Sequence, residues 1–346
     1  MASSKRYESL DGLRGICALM VAIFHCDDHV LKSGHLLNRG YLSVDAFFVI
    51  SGFVIAHVYE NRLAQDLTIA GFLRARARRL FPVQMLGTAV VAIVAILGIN
   101  SPTLPFYGDS ITRAVMLSIL ALFLIPDPVA LVLYPANGPL WSLLDEWLVN
   151  TLYALGLRRC SISALLAIAV LSMTPLVFLA LAVGHNLVLG TAPGTAWVGA
   201  VRALFGFSAG VVVLRFHVSG ALARLPHVSP MLVYAIAFFI ASMPLSFAPP
   251  IFDVFAICTF PLLVALLAES NEPPHRVFLF LGRISYPLYV SQFALIYAGM
   301  RILDRQSGPL SAIYALPIIA AMLVLAWLID LATTRKPRLV AEGGTI

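Results

Sequence analysis

Long apolar runs recur along this chain, and they constrain its fold more than any other feature. Each run approaches the roughly 20 residues that an α-helix needs to cross about 30 Å of hydrocarbon. Of the 346 residues, 60% are hydrophobic and 12% are charged, whereas a soluble domain is about 45–50% apolar and about 25% charged. The pattern therefore predicts an all-α, polytopic membrane protein.

The sequence contains ten predicted membrane spans and one shorter apolar run. The ten spans are 13–30, 41–59, 80–99, 140–157, 162–183, 197–214, 228–247, 251–267, 284–300 and 312–331. The shorter run, 114–125, is followed by the helix-breaking tripeptide "PDP". We predict that this run is re-entrant or interfacial, because a full crossing there would place the basic loops that follow it, described next, on the wrong side of the membrane.

The basic residues are distributed as this topology requires, since Lys and Arg in short loops mark the cytoplasmic side. The predicted cytoplasmic segments hold Lys5, Arg6, Arg62, Arg74, Arg76, Arg78, Arg79, Arg158, Arg159, Arg215, Arg224, Arg276, Arg335, Lys336 and Arg338. The predicted outer loops hold Lys32, Arg39, Arg113, Arg301 and Arg305. Both termini are therefore predicted to be cytoplasmic, with residues 1–12 as the N-terminal segment and 332–346 as the tail.

Several other classes of protein fit the sequence poorly. The net charge of +6 is explained by topology, and no nucleic-acid-binding module accompanies it. The four cysteines show no CxxC pairing and read as small hydrophobic residues. The first apolar run continues into "HCDDH" with no small-residue cleavage site, so we treat it as a helix and not as a signal peptide. We expect residues 1–346 to form a single membrane domain.

The first predicted span keeps two polar side chains, Arg14 and His25. They are eleven residues apart, which is three helical turns plus about 20°, so both lie on one face with a rise of about 16 Å between them. This spacing suggests a path from the cytoplasmic surface to a reactive point within the membrane. Taken singly, Arg14 also fits a topology anchor and His25 a hydrogen-bonded core residue. His25, Asp28 and His29 resemble a metal-binding spacing, but a third convincing ligand is missing and no metal is expected.

Two further stretches place small or charged residues near the next spans. "VDAFFVISGFVI" sets Ser51 and Gly52 inside the second span, where small residues permit close helix approach. "FLRARARRLFP" sets Arg76 and Arg79 one turn apart at the mouth of the third span. Taken alone, the first stretch also fits a helix-packing contact, and the second also fits a cluster of basic residues on the cytoplasmic side.

Later spans carry polar groups as well. "GPLWSLLDEWL" sets Asp145 and Glu146 just inside the fourth span, where a buried carboxylate is costly without a partner or a function. "LGRISYPLYVSQF" places four polar side chains in the ninth span: Ser285, Tyr286, Tyr289 and Gln292. Taken alone, the first stretch also fits an interfacial Trp with acidic residues near water, and the second also fits a stripe of polar residues that serves helix packing.

In their order and residue identities, these motifs resemble those of acyltransferase family 3, membrane proteins that O-acylate bacterial surface polysaccharides and related acceptors. The likeness runs from "LDGLRGICALMVAIFH" to "ISYPLYVSQF" and covers nearly the whole chain. It implies an acyl-CoA-dependent O-acyltransferase of the bacterial inner membrane, surrounded by lipid. Such an enzyme takes an acyl group, acetyl by default, from cytoplasmic acyl-CoA and delivers it to a carbohydrate or lipid-linked glycan at the outer side.

The resemblance also assigns residues. Arg14 and His25 fall on the family's essential Arg and His of the first helix, and Arg76 and Arg79 on its cytoplasmic R-x-x-R pair. The SGF and WSL-x-x-E motifs correspond to Ser51, Gly52, Phe53, Trp141, Ser142, Leu143 and Glu146. The chain departs from the family at Gln292, where many members have His, and at Leu144 and Asp145, where small and apolar residues are usual. This chain therefore offers no second histidine at position 292 for the mechanism to use.

These assignments suit the chemistry of coenzyme A, which carries phosphates at one end and the thioester at the end of a long arm. We expect Arg14, Arg76 and Arg79 to bind the phosphates, because a guanidinium donates bidentate hydrogen bonds and stays ionised. His25 is expected to act as a general base or as a nucleophile. Glu146 or Asp145 is expected to orient the imidazole or the acceptor hydroxyl. The remaining candidates have substrate-binding or structural roles: Ser51, Gly52, Trp141, Ser142, Tyr286 and Gln292.

Two other functions were weighed against this one. A proton-coupled transporter also uses His, Glu and Arg within the membrane, but no repeat relates the two halves of this chain. A non-catalytic subunit of a polysaccharide assembly system would need none of the catalytic residues. The sequence indicates neither the identity of the acceptor nor the oligomeric state.

Overall fold

Helices make up nearly all of the regular structure. The computed structural model describes residues 7–34, 36–97, 110–127, 129–303 and 312–334, and no strand is found in these ranges. The α-helices are α1 Glu8–Cys26, α2 Ser43–Gln65, α3 Ile69–Leu97, α4 Ile111–Leu122, α5 Leu140–Leu155, α6 Ile162–Phe178, α7 Ala196–Val218, α8 Pro230–Ser242, α9 Ile251–Glu269, α10 Arg276–Leu303 and α11 Ala315–Thr334. The predicted all-α membrane fold is confirmed.

Eight of the ten predicted spans coincide with helices that are long and apolar enough to cross a membrane. The other two spans, 140–157 and 228–247, contain shorter helices, α5 with 16 residues and α8 with 13. At about 1.5 Å per residue these helices are roughly 24 and 20 Å long, less than the hydrocarbon thickness. Prolines set the limits of α8: Pro230 occupies its first turn, and Met243 leaves the helical conformation before Pro244.

Two helices begin earlier than the hydropathy pattern predicts. α3 starts at Ile69 and not at residue 80, and α10 starts at Arg276 and not at residue 284. In both cases the additional turns carry arginines, which hydropathy counts against a span although Arg is a good helix former. These basic turns bring Arg76, Arg79 and Arg283 onto rigid helices.

α4 is the short apolar run, and its position favours the re-entrant alternative. Its 12 residues extend for about 18 Å. Its last carbonyl oxygens, on Ala121 and Leu122, accept hydrogen bonds of 3.0 and 3.3 Å from Nε2 of Gln84 in the middle of α3. The chain then turns back, and the Tyr134 hydroxyl donates to the Leu124 carbonyl oxygen at 2.8 Å. The helix therefore ends halfway along its neighbour.

Two glycines allow close contacts between pairs of helices, α2 with α7 and α1 with α10. A Cβ added to Gly52 on α2 would overlap the carbonyl oxygen of Phe207 on α7, and one added to Gly15 on α1 would overlap the backbone of Gly282 on α10. Both positions are therefore restricted to glycine, as expected where small residues let helices approach. Gly52 thus has the packing role that the sequence suggested for it.

The orientation in the membrane is a prediction, which reporter fusions can test. Several of the charges on which it rests lie outside the described residues: Lys5, Arg6, Arg305, Arg335, Lys336 and Arg338. Fusions placed after Pro128 and after Arg159 should give outer and cytoplasmic signals respectively, because in the ten-span topology the α4 run does not cross and the span that contains α5 does. The same side for both fusions would contradict the ten-span topology.

Candidate active site

A cavity of about 360 Å³ lies among α1, α2, α3, α5, α10 and α11. Its lining follows α2 from Val44 to Ile55, a rise of about 16 Å. We call one end the mouth, defined by Arg14, Arg79 and Arg283, and the opposite end the inner end, defined by Phe47, Ser142 and Tyr289. Apolar side chains line the space between, so the cavity is long and mostly apolar with basic groups at one end.

Arg14 is held at the mouth by α10. Its Nε donates to the Ser285 hydroxyl at 3.0 Å, and its Nη2 donates to the Gly282 carbonyl oxygen at 3.2 Å. Its guanidinium also forms an ion pair of 3.1 Å with Asp11, one turn earlier on α1. The side chain remains 29% exposed, so part of the guanidinium is accessible to a ligand.

The two arginines of the R-x-x-R pair have different surroundings. Arg76 is buried, and its Nη2 donates to Oε1 of Glu146 at 2.8 Å. The Ser51 hydroxyl donates to the same oxygen at 3.1 Å. Arg79 is exposed at the mouth and forms no ion pair with any described residue. Arg76 therefore neutralises a wall carboxylate, whereas Arg79 is available to an anion.

Three side chains close the inner end. The hydroxyls of Ser142 and Tyr289 are 2.6 Å apart, and both can donate to the Pro139 carbonyl oxygen, at 3.1 and 3.3 Å. The ring of Phe47 packs edge-on against Tyr289 with the centroids 5.6 Å apart. A hydrogen-bonded contact between α5 and α10 thus forms the end of the cavity.

His25 lies beyond this closed end. Its ring contacts Phe293 edge-on at 5.1 Å and stacks on His29 at 5.7 Å. Phe293 is one turn past Tyr289 on α10, a rise of about 6 Å. Nδ1 of His25 is buried and has no hydrogen-bond partner among the residues that the structure describes. Arg14 and His25 are therefore separated by the inner end of the cavity.

Glu146 and Asp145, expected to orient the His25 imidazole or the acceptor hydroxyl, form other contacts in this structure, and their catalytic role stays a prediction. Glu146 lies in the cavity, bonded to Arg76 and Ser51. Asp145 faces another side, where a Cβ on Gly199 would meet its Oδ2 at 2.5 Å. Successive helical residues point about 100° apart, so the two acids cannot share one role. Glu146 is a cavity residue, and Asp145 is not.

The remaining candidates also divide between the cavity and its surroundings. Tyr286 lines the cavity and donates to the Leu80 carbonyl oxygen at 3.2 Å. Gln292 is fully buried, and its amide donates to the Tyr289 carbonyl oxygen at 3.0 Å. The Trp141 ring lies 5.5 Å from the guanidinium of Arg202. Of these three, only Tyr286 borders the cavity.

Sequence reasoning missed two buried ion pairs near the inner end. Arg202 on α7 donates to both carboxylate oxygens of Asp45 on α2, at 3.0 and 2.6 Å. Arg39 pairs with Asp253 on α9, which also accepts from the Tyr41 hydroxyl at 2.6 Å. The available signal was that three of these charges, Asp45, Arg202 and Asp253, fall inside predicted spans, where charge is rare without a partner.

No three His, Cys, Asp or Glu side chains approach one another as a metal site would require, within the described ranges of the chain. His25 and His29 are stacked rings, and Asp28 forms an ion-pair contact with His29 at 3.7 Å. These contacts account for the metal-like spacing in the sequence as a local packing arrangement.

The comparisons with known proteins identify the family. The family model described as "Acyltransferase domain", that of acyltransferase family 3, matches residues 7–331, and this chain belongs to that family. The protein is therefore a multi-pass membrane enzyme that transfers acyl groups. Family membership supports the enzyme over the transporter and the non-catalytic subunit.

Three relatives illustrate the likeness. The chain is 26% identical over 343 residues to acyltransferase MdmB of Streptomyces mycarofaciens, covering 88% of this chain and 82% of that protein. It is 35% identical over 164 residues to protein 2 in the picA locus of Rhizobium radiobacter, covering 43% and 82%. It is 31% identical over 129 residues to exopolysaccharide production protein ExoZ of Rhizobium meliloti, covering 37% and 35%. No solved structure matches the chain.

Proposed function

We propose that this acyltransferase takes an acyl group, acetyl by default, from cytoplasmic acyl-CoA and transfers it to a hydroxyl group. The acceptor is a carbohydrate or lipid-linked glycan at the outer side of the bacterial inner membrane, and both termini are cytoplasmic. The observation that carries this proposal is the cavity, which has arginines at its mouth and His25 beyond its inner end. The name of ExoZ links that relative to exopolysaccharide production, which supports a carbohydrate acceptor.

The mouth suits the phosphates of the donor. Arg79 is exposed without an ion pair to any described residue, and Arg14 is partly accessible. A guanidinium binds phosphate through two parallel hydrogen bonds. The apolar part of the cavity that follows suits the arm that carries the thioester. Arg76 supports the wall by compensating Glu146, whose charge would otherwise be buried without a partner.

His25 supplies the reactive group in this proposal, by one of two routes. As a general base it removes the proton of the acceptor hydroxyl while the oxygen attacks the thioester carbonyl, the C–S bond breaks and the CoA thiolate leaves. As a nucleophile its nitrogen attacks the carbonyl and displaces the thiolate, which takes up the imidazole proton; the hydroxyl oxygen then attacks the acyl-imidazole, the C–N bond breaks and the imidazole recovers a proton from the hydroxyl. In both routes the contact between Ser142 and Tyr289 must open, because it separates the cavity from His25.

Consumption of the acyl-CoA thioester by membranes that carry the protein tests the activity. Mass spectrometry of surface glycans, with and without the protein, then identifies the acyl group and the acceptor by a mass difference. Thioester consumption at background level, with folded protein present, would reject the proposal.

A substitution at the mouth tests donor binding. Arg79→Ala should weaken CoA binding at least tenfold, because a lost hydrogen bond to a charged group costs roughly 1.5–3 kcal/mol. Arg79 is the sharper choice over Arg76, whose removal would leave Glu146 without its cation and so disturb folding. Arg78→Ala is the matched control, since Arg78 is exposed on the same helix but does not line the cavity. Equal CoA affinity in the two variants would return Arg79 to the role of a topology anchor.

A further inference from the structure

Arg283 and Asp330 form an ion pair at the mouth that none of the roles described so far includes. Nη2 of Arg283 on α10 lies 2.6 Å from Oδ2 of Asp330 on α11. The two side chains differ in exposure, at 52% for Arg283 and 7% for Asp330. The carboxylate is thus buried in the wall, and it holds a guanidinium that projects into the mouth.

The charges that line the cavity do not balance. Four arginines line it, Arg14, Arg76, Arg79 and Arg283, against two carboxylates, Glu146 and Asp330. Asp11 does not line the cavity but pairs with Arg14, so the difference, four minus three, leaves one excess positive charge, that of Arg79. This excess favours an anionic ligand, and Arg283 lies on the same lining as the arginines already assigned to the acyl donor.

Other polar groups on the wall formed by α11 are occupied within their own helix. The Thr333 hydroxyl donates to the Ile329 carbonyl oxygen at 2.9 Å, and the Thr334 hydroxyl donates to the Asp330 carbonyl oxygen at 2.6 Å. Among the described residues, Arg283 is therefore the hydrogen-bond donor that this side of the mouth presents to a ligand. Arg283 is 52% exposed, so a phosphate, which carries about −1.5 to −2 charges, can compete with the single charge of Asp330 for the guanidinium.

We infer that Arg283 is a further donor-binding residue and that Asp330 is its positioning residue. In the empty site Asp330 holds the guanidinium in place. When acyl-CoA binds, Arg283 exchanges part of its contact with the carboxylate for a phosphate of the acyl donor. This inference rests on the proposed function, because it assumes that the mouth binds the phosphates of coenzyme A.

The exchange predicts opposite effects for the two partners. Arg283→Gln should weaken CoA binding by roughly tenfold, because one charged contact to phosphate is lost. Asp330→Asn should strengthen CoA binding by up to roughly fivefold, because the competing charge is gone while the side chain keeps its size. The double variant should bind CoA as weakly as Arg283→Gln alone, since Asp330 acts through Arg283.

Titration of CoA into the purified full-length protein measures these affinities, and pantetheine, which lacks the phosphates, is the second probe. Pantetheine binding should be the same in all variants, and Arg78→Gln is the matched control for the loss of a basic residue near the mouth. Thermal unfolding of each variant shows that it is folded. Arg283→Lys keeps the charge but loses the planar fork, so it should fall between the parent and Arg283→Gln.

The outcomes separate this inference from the proposed function. If the parent binds CoA and Arg79→Ala weakens that binding, but Arg283→Gln and Asp330→Asn leave it unchanged, the pair is structural and the inference is overturned. Weaker binding in Asp330→Asn would also overturn it. If the parent protein binds no CoA, the proposed function itself fails.

Discussion

His25→Gln protein should bind acyl-CoA as the parent does and lose about 10²–10⁴-fold in turnover, the usual contribution of general acid–base catalysis. Glutamine keeps much of the size and some of the hydrogen bonding of histidine but removes the basic nitrogen. Donor binding should be retained because His25 is not part of the cavity lining. The turnover number and the CoA affinity are measured on the same purified preparation.

Two matched variants make this result specific. His29→Gln changes the ring that stacks on His25 and should retain most of the activity. Arg14→Lys keeps the charge at the mouth but loses the planar fork, so it should weaken donor binding. A parental rate of acyl transfer by folded His25→Gln protein would show that His25 is only a buried polar residue.

The closed inner end has a consequence for the proposed function, in which donor and acceptor approach from opposite sides of the membrane. In this structure the Ser142 and Tyr289 hydroxyls are 2.6 Å apart and His25 lies past them. With the donor in the cavity and the acceptor beside His25, as we propose, the two substrates would be kept apart until this contact opens. Such gating completes the catalytic arrangement only when substrate is present and limits wasteful hydrolysis of the thioester.

The sequence predicted the fold well because a helix in lipid must satisfy its own backbone hydrogen bonds, so apolar length alone marks it. The short lengths of α5 and α8 could also have been predicted from the sequence, because Pro139 lies at the start of α5, and Pro230 and Pro244 lie at the two ends of α8. Hydropathy does not register these prolines. The basic turns of α3 and α10 were missed for the same reason, because charge lowers the hydropathy of a continuous helix.

The candidate site was predicted less completely. Helical phase places Arg14 and His25 on one face of α1, but it does not say which parts of α5 and α10 fill the space between them. Likewise, the face of α5 that carries Glu146 is visible in the sequence, whereas its partner, Arg76, is 70 residues away. Pairings of this kind depend on how helices rotate against one another, which no local pattern encodes.

The buried pair of Arg202 and Asp45 illustrates such a long-range contact. The two residues are 157 positions apart. The same guanidinium donates to the carbonyl oxygens of Leu187 and Leu189, at 2.9 and 3.1 Å. Arg202 thus joins α7, α2 and the segment before α7, close to the inner end of the cavity.

Arg202→Met should therefore destabilise the protein by about 3–5 kcal/mol, because removing one partner leaves the Asp45 charge buried without compensation. Adding Asp45→Asn should recover a large part of this loss, since the double variant buries no unpaired charge. Thermal or denaturant unfolding of the purified protein measures both effects. Arg215→Met is the control, because Arg215 and its partner Glu60 are 17% and 30% exposed and water can solvate the remaining carboxylate. If Asp45→Asn fails to rescue Arg202→Met, the stabilisation comes from the loop carbonyls that Arg202 binds and not from its ion pair.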